Sequence, residues 1–201
     1  MLRLPNQLTI IRLCLSPIFI CLFLLQQWWA ALGVALVFEA TDLLDGYFAR
    51  RYKMVSSLGK LIDPLADSVS RFSVFLAFTT EPTVREDPWP VLLVAGLFYR
   101  DTIVAYIRTF AASTGTVLAA RWSGKLKAMF QGSGIIIFLT LRALAPTFPE
   151  IHRWLPWIFY GIMLPVVVVT VFSGADYLWA NWTSIVAMAT RDMDEHSDED
   201  E

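Results

Sequence analysis

The most informative stretch of this chain runs from Thr41 to Asp67 and reads TDLLDGYFARRYKMVSSLGKLIDPLAD. It connects two apolar blocks through a short polar turn, so the blocks are expected to form antiparallel neighbouring helices. Asp42 and Asp45 are three residues apart near the end of the first helix and therefore share a face. Asp63 and Asp67 are four residues apart near the start of the second helix and share a face as well. The stretch thus predicts four carboxylates that converge where the two helices meet.

Apolar residues dominate the chain on both sides of this stretch. Of the 201 residues, 56% are hydrophobic and 17% are charged, whereas soluble domains have about 25% charged residues. A helix needs about 20 apolar residues to span a bilayer, so six spans would use roughly 120 residues and leave only short loops. The composition excludes an ordinary soluble globule and predicts an all-α integral membrane protein. Its six transmembrane helices are expected at about 8–26, 28–50, 58–79, 89–112, 128–145 and 154–180.

The distribution of lysine and arginine predicts the orientation of these helices. If the N-terminus is cytoplasmic, most basic residues of short loops fall on the cytoplasmic side, which is the usual bias. Only Arg85, Arg142 and Arg153 then belong to the opposite side. Both termini are therefore predicted to be cytoplasmic. Residues 1–182 form the expected six-helix catalytic domain, and residues 183–201 form an acidic tail that is expected to be disordered.

Four ionised carboxylates in a partly dry site repel one another, so they require a counter-charge. A cluster of carboxylate oxygens suits Mg²⁺, Mn²⁺ or Ca²⁺ rather than zinc. Gly46 and Ala49 lie on the same helix stripe as the first two aspartates, which lets a ligand approach the backbone closely. Arg50 can direct its guanidinium at a phosphate. The alternative is that the acids pair only with basic side chains at the membrane surface.

The chain resembles the CDP-alcohol phosphotransferases at every fixed position of their signature, which here reads Asp42-x2-Asp45-Gly46-x2-Ala49-Arg50-x8-Gly59-x3-Asp63-x3-Asp67. The resemblance implies a six-helix membrane fold that is usually a homodimer. It also implies that two divalent cations, Mg²⁺ or Mn²⁺, are held on the CDP diphosphate by Asp42, Asp45, Asp63 and Asp67. Asp67 is further implied to be the general base. The residues implied to line the CDP pocket are Gly46, Ala49, Arg50 and Gly59.

Basic residues farther along the chain are candidates for binding the alcohol acceptor. Arg100 and Arg108 are eight residues apart and lie on similar faces of the fourth helix, while Lys125 and Lys127 stand near the start of the fifth. Together they can form a cationic pocket for an acceptor that carries a phosphate. Otherwise the lysines reflect the positive-inside bias, and the mid-span Arg100 pairs with either Asp101 or an anionic ligand.

Residues 5 to 132 also resemble the phosphatidylglycerophosphate synthases within this family, for example in Gly124-Lys125-x-Lys127-x3-Gln131. This likeness implies transfer of a phosphatidyl group from CDP-diacylglycerol to sn-glycerol 3-phosphate, at the cytoplasmic face of a bacterial inner membrane. Ser68, Asp101 and Ala128 differ from the residues common there, namely lysine, glutamate and threonine. They leave open another acceptor, such as inositol phosphate or phosphatidylglycerol.

Several residues outside the signature are expected to support the site or the packing of the helices. Glu39 and Thr41 are expected either to support the site or to form hydrogen bonds between helices. Gly132 and Gly134 predict close helix packing in the fifth span, within the chain or in a dimer.

A divalent-cation transporter is the alternative from another functional class, although it does not explain the glycine, alanine and arginine between the acids. No nucleic-acid partner is expected.

Overall fold

The computed structural model describes residues 4–51, 57–114, 116, 118–119 and 121–199. Over these residues the backbone forms six helices and no strand. The helices are α1 (Leu4–Leu24), α2 (Trp28–Arg51), α3 (Ser57–Phe78), α4 (Trp89–Ser113), α5 (Trp122–Leu144) and α6 (Pro149–Glu199). The all-helical prediction is confirmed, and the first four helices begin and end within a few residues of their predicted bounds.

The last two helices differ from the prediction in length. α5 begins at Trp122 rather than near residue 128, because Lys127 lies inside the helix, where Asp101 neutralises it. α6 continues through two internal prolines to Glu199. Its helical backbone therefore includes most of the segment for which the sequence predicts a disordered tail. The division of the chain at residue 182 stays a prediction.

Three of the described helices are long and apolar enough to cross a membrane, over Trp89–Ala111, Trp122–Leu144 and Pro149–Ala187. α1 has a shorter apolar stretch, from Thr9 to Leu24. α2 and α3 are long enough, at roughly 33–36 Å for 1.5 Å per residue, but charged residues lie within them. The protein is thus an integral membrane protein, while the six-span arrangement and the cytoplasmic termini stay predictions.

Aromatic side chains pack the end of the bundle where α1 ends and α2 begins. Phe23 of α1 meets Trp28 of α2 edge to face, with ring centroids 5.0 Å apart. Phe78 of α3 meets Phe138 of α5 at 4.6 Å, and Phe138 also contacts Phe159 of α6. Within a bilayer such rings stabilise the bundle through van der Waals packing rather than through transfer from water. This apolar end ties five helices together and leaves the charged residues of α2 and α3 at the other end.

One ion pair is buried within the aromatic end. Nε of Arg142 donates a hydrogen bond to Oε2 of Glu81 at 2.8 Å, and the Glu81 side chain is 0% exposed. The Arg142 guanidinium also lies over the ring of Trp28, 3.8 Å from its centroid. Arg142 lies in the last turn of α5, within the helix predicted for residues 128–145, and its position on the side opposite the cytoplasm stays a prediction. The arginine lies inside α5 because Glu81 and Trp28 supply it with a carboxylate and an aromatic face.

The glycine pair of α5 lies against two different helices. A Cβ atom at Gly134 would come within 2.9 Å of Cγ2 of Ile162 in α6. A Cβ atom at Gly132 would come within 2.6 Å of Oε2 of Glu39 in α2. The predicted close packing of the fifth helix is confirmed, and it occurs within the chain.

Candidate active site

Two of the four signature aspartates have described side chains, and they lie near each other. Asp42 stands in the second half of α2, and Asp67 stands in the first half of α3. Both carboxylates contact the same guanidinium, that of Arg71. The side chains of the other six predicted metal and CDP residues lie outside the described part of the structure: Asp45, Gly46, Ala49, Arg50, Gly59 and Asp63. The convergence of all four aspartates therefore stays a prediction.

Arg71 is the centre of the described charge cluster. Its Nε donates a hydrogen bond to Oδ1 of Asp67 at 2.8 Å, and its Nη1 donates to Oε1 of Glu39 at 3.3 Å. Its Nη2 lies 3.6 Å from Oδ2 of Asp42. The arginine side chain is only 7% exposed. A buried guanidinium of this kind is stable because three carboxylates surround it.

A second arginine completes the cluster from α1. Nη1 of Arg12 donates a hydrogen bond to Oδ1 of Asp42 at 3.1 Å. The sequence did not predict a role in the site for Arg71, and the likeness to the phosphatidylglycerophosphate synthases implied that Arg12 lies near the acceptor. The spacing of four residues between Asp67 and Arg71 is a local signal that could have identified Arg71. The contact between Arg12 and Asp42 joins residues 30 positions apart, and helix periodicity carries no information about it.

The donor set suits a hard divalent cation. The side chains of Asp42 and Asp67 are 40% and 37% exposed, so a ligand can reach both carboxylates. Among the described residues, no hydrogen bond reaches Oδ2 of Asp67, which leaves that oxygen open. Within the same residues there is no cluster of three or more His, Cys, Asp or Glu side chains in ligating positions. One or two carboxylates together with substrate phosphates are nevertheless the usual ligands of Mg²⁺, so the residues fit such an ion.

Two clefts meet at Arg71. The polar lining of the first includes Arg12, Glu39, Asp42, Asp67 and Arg71. The polar lining of the second includes Ser68, Arg71, Asp101 and Gln131. Arg71 therefore separates the aspartates of the signature from a second group of charged residues on α4 and α5.

The second group is a cationic cluster around Asp101. Nζ of Lys127 donates a hydrogen bond to Oδ2 of Asp101 at 2.8 Å, and Nη1 of Arg100 donates to Oδ1 at 3.0 Å. Nη2 of Arg100 also donates to Oγ of Ser173 in α6 at 2.7 Å. Asp101 is thus one of the two partners predicted for Arg100. Two cations share one carboxylate, so the cluster carries a net positive charge that favours an anionic ligand.

The other two predicted acceptor residues do not join this cluster. The guanidinium of Arg108 lies over the ring of Tyr177, 5.0 Å from its centroid. The side chain of Lys125 is exposed. The structure therefore brings Arg100 and Lys127 together and leaves Arg108 and Lys125 outside the contacts of Asp101.

Polar contacts tie the start of α5 to α6. Arg121 donates two hydrogen bonds to Asp176, at 3.1 and 2.8 Å, and the Ser123 hydroxyl donates to the same carboxylate. These hydrogen bonds raise the pKa of Arg121 above its usual value. The backbone N–H of Ala119 donates to Oδ1 of Asn181 at 2.9 Å. The segment that precedes Lys127 is thereby attached to α6.

Known proteins resemble the chain over nearly all of its length. A family model described as CDP-alcohol phosphatidyltransferase matches residues 2–172. A CDP-diacylglycerol–glycerol-3-phosphate 3-phosphatidyltransferase of Bacillus subtilis is 28% identical over 204 residues, which cover 92% of this chain and 98% of that protein. A protein of the same name from Yersinia pestis is 30% identical over 190 residues, with the same coverage.

The fold also matches a solved structure. The crystal structure of Mycobacterium tuberculosis phosphatidylinositol phosphate synthase in apo form aligns with a TM-score of 0.63. The alignment covers 89% of each chain at 24% sequence identity. At that identity the likeness shows the fold alone. The two kinds of relative are named for different acceptors, so the residues of this chain have to indicate which acceptor it uses.

Proposed function

Because the chain belongs to the CDP-alcohol phosphatidyltransferase family, we propose that it transfers the phosphatidyl group of CDP-diacylglycerol to sn-glycerol 3-phosphate and releases CMP. Membership of this family makes it an enzyme of that class and sets aside the transporter alternative. The observation that carries the choice of acceptor is the cationic cluster of Arg100 and Lys127. Their shared partner Asp101 lines the same cleft as Arg71. An acceptor with its own phosphate matches that charge.

The signature aspartates are the proposed ligands of two divalent cations, Mg²⁺ or Mn²⁺, with Asp45 and Asp63 joining Asp42 and Asp67. When bound, such cations neutralise a diphosphate and stabilise the charge that grows on the leaving CMP. The exposure of both described carboxylates supports this assignment. The proposed CDP pocket is lined by Gly46, Ala49, Arg50 and Gly59.

Asp67 is the proposed general base. Arg71 occupies Oδ1 of this carboxylate, which leaves Oδ2 to accept the proton of the acceptor hydroxyl. The hydroxyl oxygen then forms a bond to the phosphorus that carries the diacylglycerol. The bond from that phosphorus to the bridging oxygen breaks, and CMP leaves with the electron pair. The products are phosphatidylglycerophosphate, CMP and the proton on Asp67, which returns to solvent.

The acceptor phosphate is proposed to bind Arg100 and Lys127. Arg108 and Lys125 are proposed to contribute positive charge at the edge of the acceptor pocket. Asp101 holds the two buried cations at fixed positions, which limits the conformational entropy that binding costs. Both substrate head groups are water-soluble, so the proposed active site faces the cytoplasm of a bacterial inner membrane while the acyl chains stay in lipid. A homodimer is also proposed.

The direct test measures CMP release by the purified full-length protein with CDP-diacylglycerol, Mg²⁺ or Mn²⁺, and a set of acceptors. The set contains glycerol 3-phosphate, inositol phosphate, serine, choline and phosphatidylglycerol. Asp67→Asn is the inactive variant, and Asp87→Asn is its matched control, since Asp87 is an exposed residue of the α3–α4 loop. Release with glycerol 3-phosphate alone supports the proposal, and release with another acceptor contradicts the choice of substrate.

A further inference from the structure

Glu39 is the one carboxylate of the described Arg71 cluster that does not belong to the signature. It lies on α2 one turn before Asp42, and its Oε1 accepts a hydrogen bond from Nη1 of Arg71 at 3.3 Å. Its other oxygen faces α5, where a Cβ atom at position 132 would stand only 2.6 Å away. Glycine at position 132 therefore provides the space that the Glu39 carboxylate occupies.

Because the Arg71 guanidinium is planar, its contact with Glu39 affects how Arg71 binds Asp67 and Asp42. Arg71 donates to Glu39 through Nη1 and to Asp67 through Nε, and both atoms belong to one rigid plane. A carboxylate that holds one edge of the plane therefore sets the direction of the other hydrogen bond. Glu39 also offsets part of the positive charge that Arg71 would otherwise present to an incoming cation.

We propose that Glu39 and Arg71 form a positioning pair, which holds Asp67 and Asp42 in the orientation that binds a divalent cation, and that Gly132 is required for it. Neither Glu39 nor Gly132 touches the reacting atoms. Both act through the Arg71 guanidinium. The inference rests on the proposed function for the roles of the two aspartates.

Gly132→Ala is a selective perturbation of this arrangement. The atom that the new methyl group displaces is the far end of a flexible side chain, so the carboxylate moves at little cost to stability. The substitution also leaves every charge of the cluster in place. Its matched control is Gly161→Ala, because a Cβ atom at Gly161 meets nothing within 4 Å.

The main readout is the affinity of the substrate-free, full-length protein in detergent for Mn²⁺, titrated by electron paramagnetic resonance. Loss of a residue that orients a metal ligand typically weakens metal binding or activity about ten- to hundredfold. Gly132→Ala is expected to show a loss of that order in Mn²⁺ affinity and in the rate of CMP release. Its melting temperature should match that of Gly161→Ala.

A double-mutant cycle with Glu39→Ala separates the proposed route from a general packing defect. Once the carboxylate is absent, the methyl group at position 132 has nothing to displace, so Gly132→Ala should cause no further loss. Equal losses in the two backgrounds would overturn the inference, as would Mn²⁺ affinity that Gly132→Ala leaves unchanged.

The Mn²⁺ titration also distinguishes this inference from the proposed reaction. If the unmodified protein binds Mn²⁺ but releases no CMP with glycerol 3-phosphate, the proposed acceptor is wrong. The cycle of Mn²⁺ affinities then still tests the positioning pair. Absence of Mn²⁺ binding in the unmodified protein would overturn the positioning inference itself.

Discussion

The buried pair of Glu81 and Arg142 provides the sharpest test of how the bundle is stabilised. Arg142→Met removes the guanidinium and leaves the Glu81 carboxylate buried without its partner at the apolar end. The substitution also removes the cation–π contact with Trp28. Methionine has a similar length and fills much of the same space, so the change measures the loss of charge and hydrogen bonding more than the loss of volume.

The magnitude follows from the burial of the carboxylate. Removing one partner of a buried ion pair costs about 3–5 kcal/mol, because the remaining charge has no compensation. Loss of the desolvated contact with the Trp28 ring costs up to about 2 kcal/mol more. For a chain of this size each kcal/mol lowers the melting temperature by roughly 2–4 °C. The ion pair alone therefore predicts a decrease of about 6–20 °C for Arg142→Met.

The assay is thermal unfolding of the purified protein in detergent, followed by far-ultraviolet circular dichroism. Arg85→Met is the matched control, since Arg85 is an exposed residue of the α3–α4 loop and should have a melting temperature near that of the unmodified protein. Replacing both partners, Glu81→Met with Arg142→Met, should recover much of the lost stability, since no buried charge remains.

Two results would refute this reasoning. One is a melting temperature for Arg142→Met that equals that of Arg85→Met, and the other is a double variant as unstable as the single one. The specific activity of the folded Arg142→Met protein should stay unchanged. Arg142 lies 15 residues beyond Lys127 on α5, which is roughly 22 Å along the helix axis.

Three further predictions concern the site and the packing of α5. Chelation by EDTA should abolish CMP release, and Mg²⁺ or Mn²⁺ should restore it; activity that persists in EDTA would contradict the metal assignment. Lys127→Met should raise the KM for glycerol 3-phosphate at least about tenfold, because a charge-assisted hydrogen bond contributes about 1.5–3 kcal/mol, while Arg100 still neutralises Asp101. An unchanged KM in steady-state assays would exclude Lys127 from the acceptor pocket. Gly134→Ala should lower the free energy of unfolding by about 1–3 kcal/mol, because its Cβ would lie 2.9 Å from Cγ2 of Ile162; a melting temperature equal to that of Gly161→Ala would contradict this.

Local sequence patterns were sufficient to predict the helices and to recognise the family. Apolar blocks of about 20 residues predict helices, and the spacings of the aspartates on α2 and α3 depend only on the 3.6-residue period. For the same reason the pairing of Arg100 with Asp101 was foreseeable, since adjacent residues need no knowledge of the fold. The lengths of α5 and α6 were less predictable. Lys127 can lie inside α5 because the packing of the helices supplies Asp101 as its partner.

The contacts that join different helices depend on packing alone. Arg71 meets Glu39 from 32 positions away, and Arg142 meets Glu81 from 61 positions away. Helix periodicity states which residues share a face, but which faces meet depends on how the side chains of all the helices fill the bundle together. The aspartate signature can therefore be recognised in the amino-acid sequence. The place of Arg71 between its carboxylates, and of Gly132 beside Glu39, depends on how α2, α3 and α5 pack together.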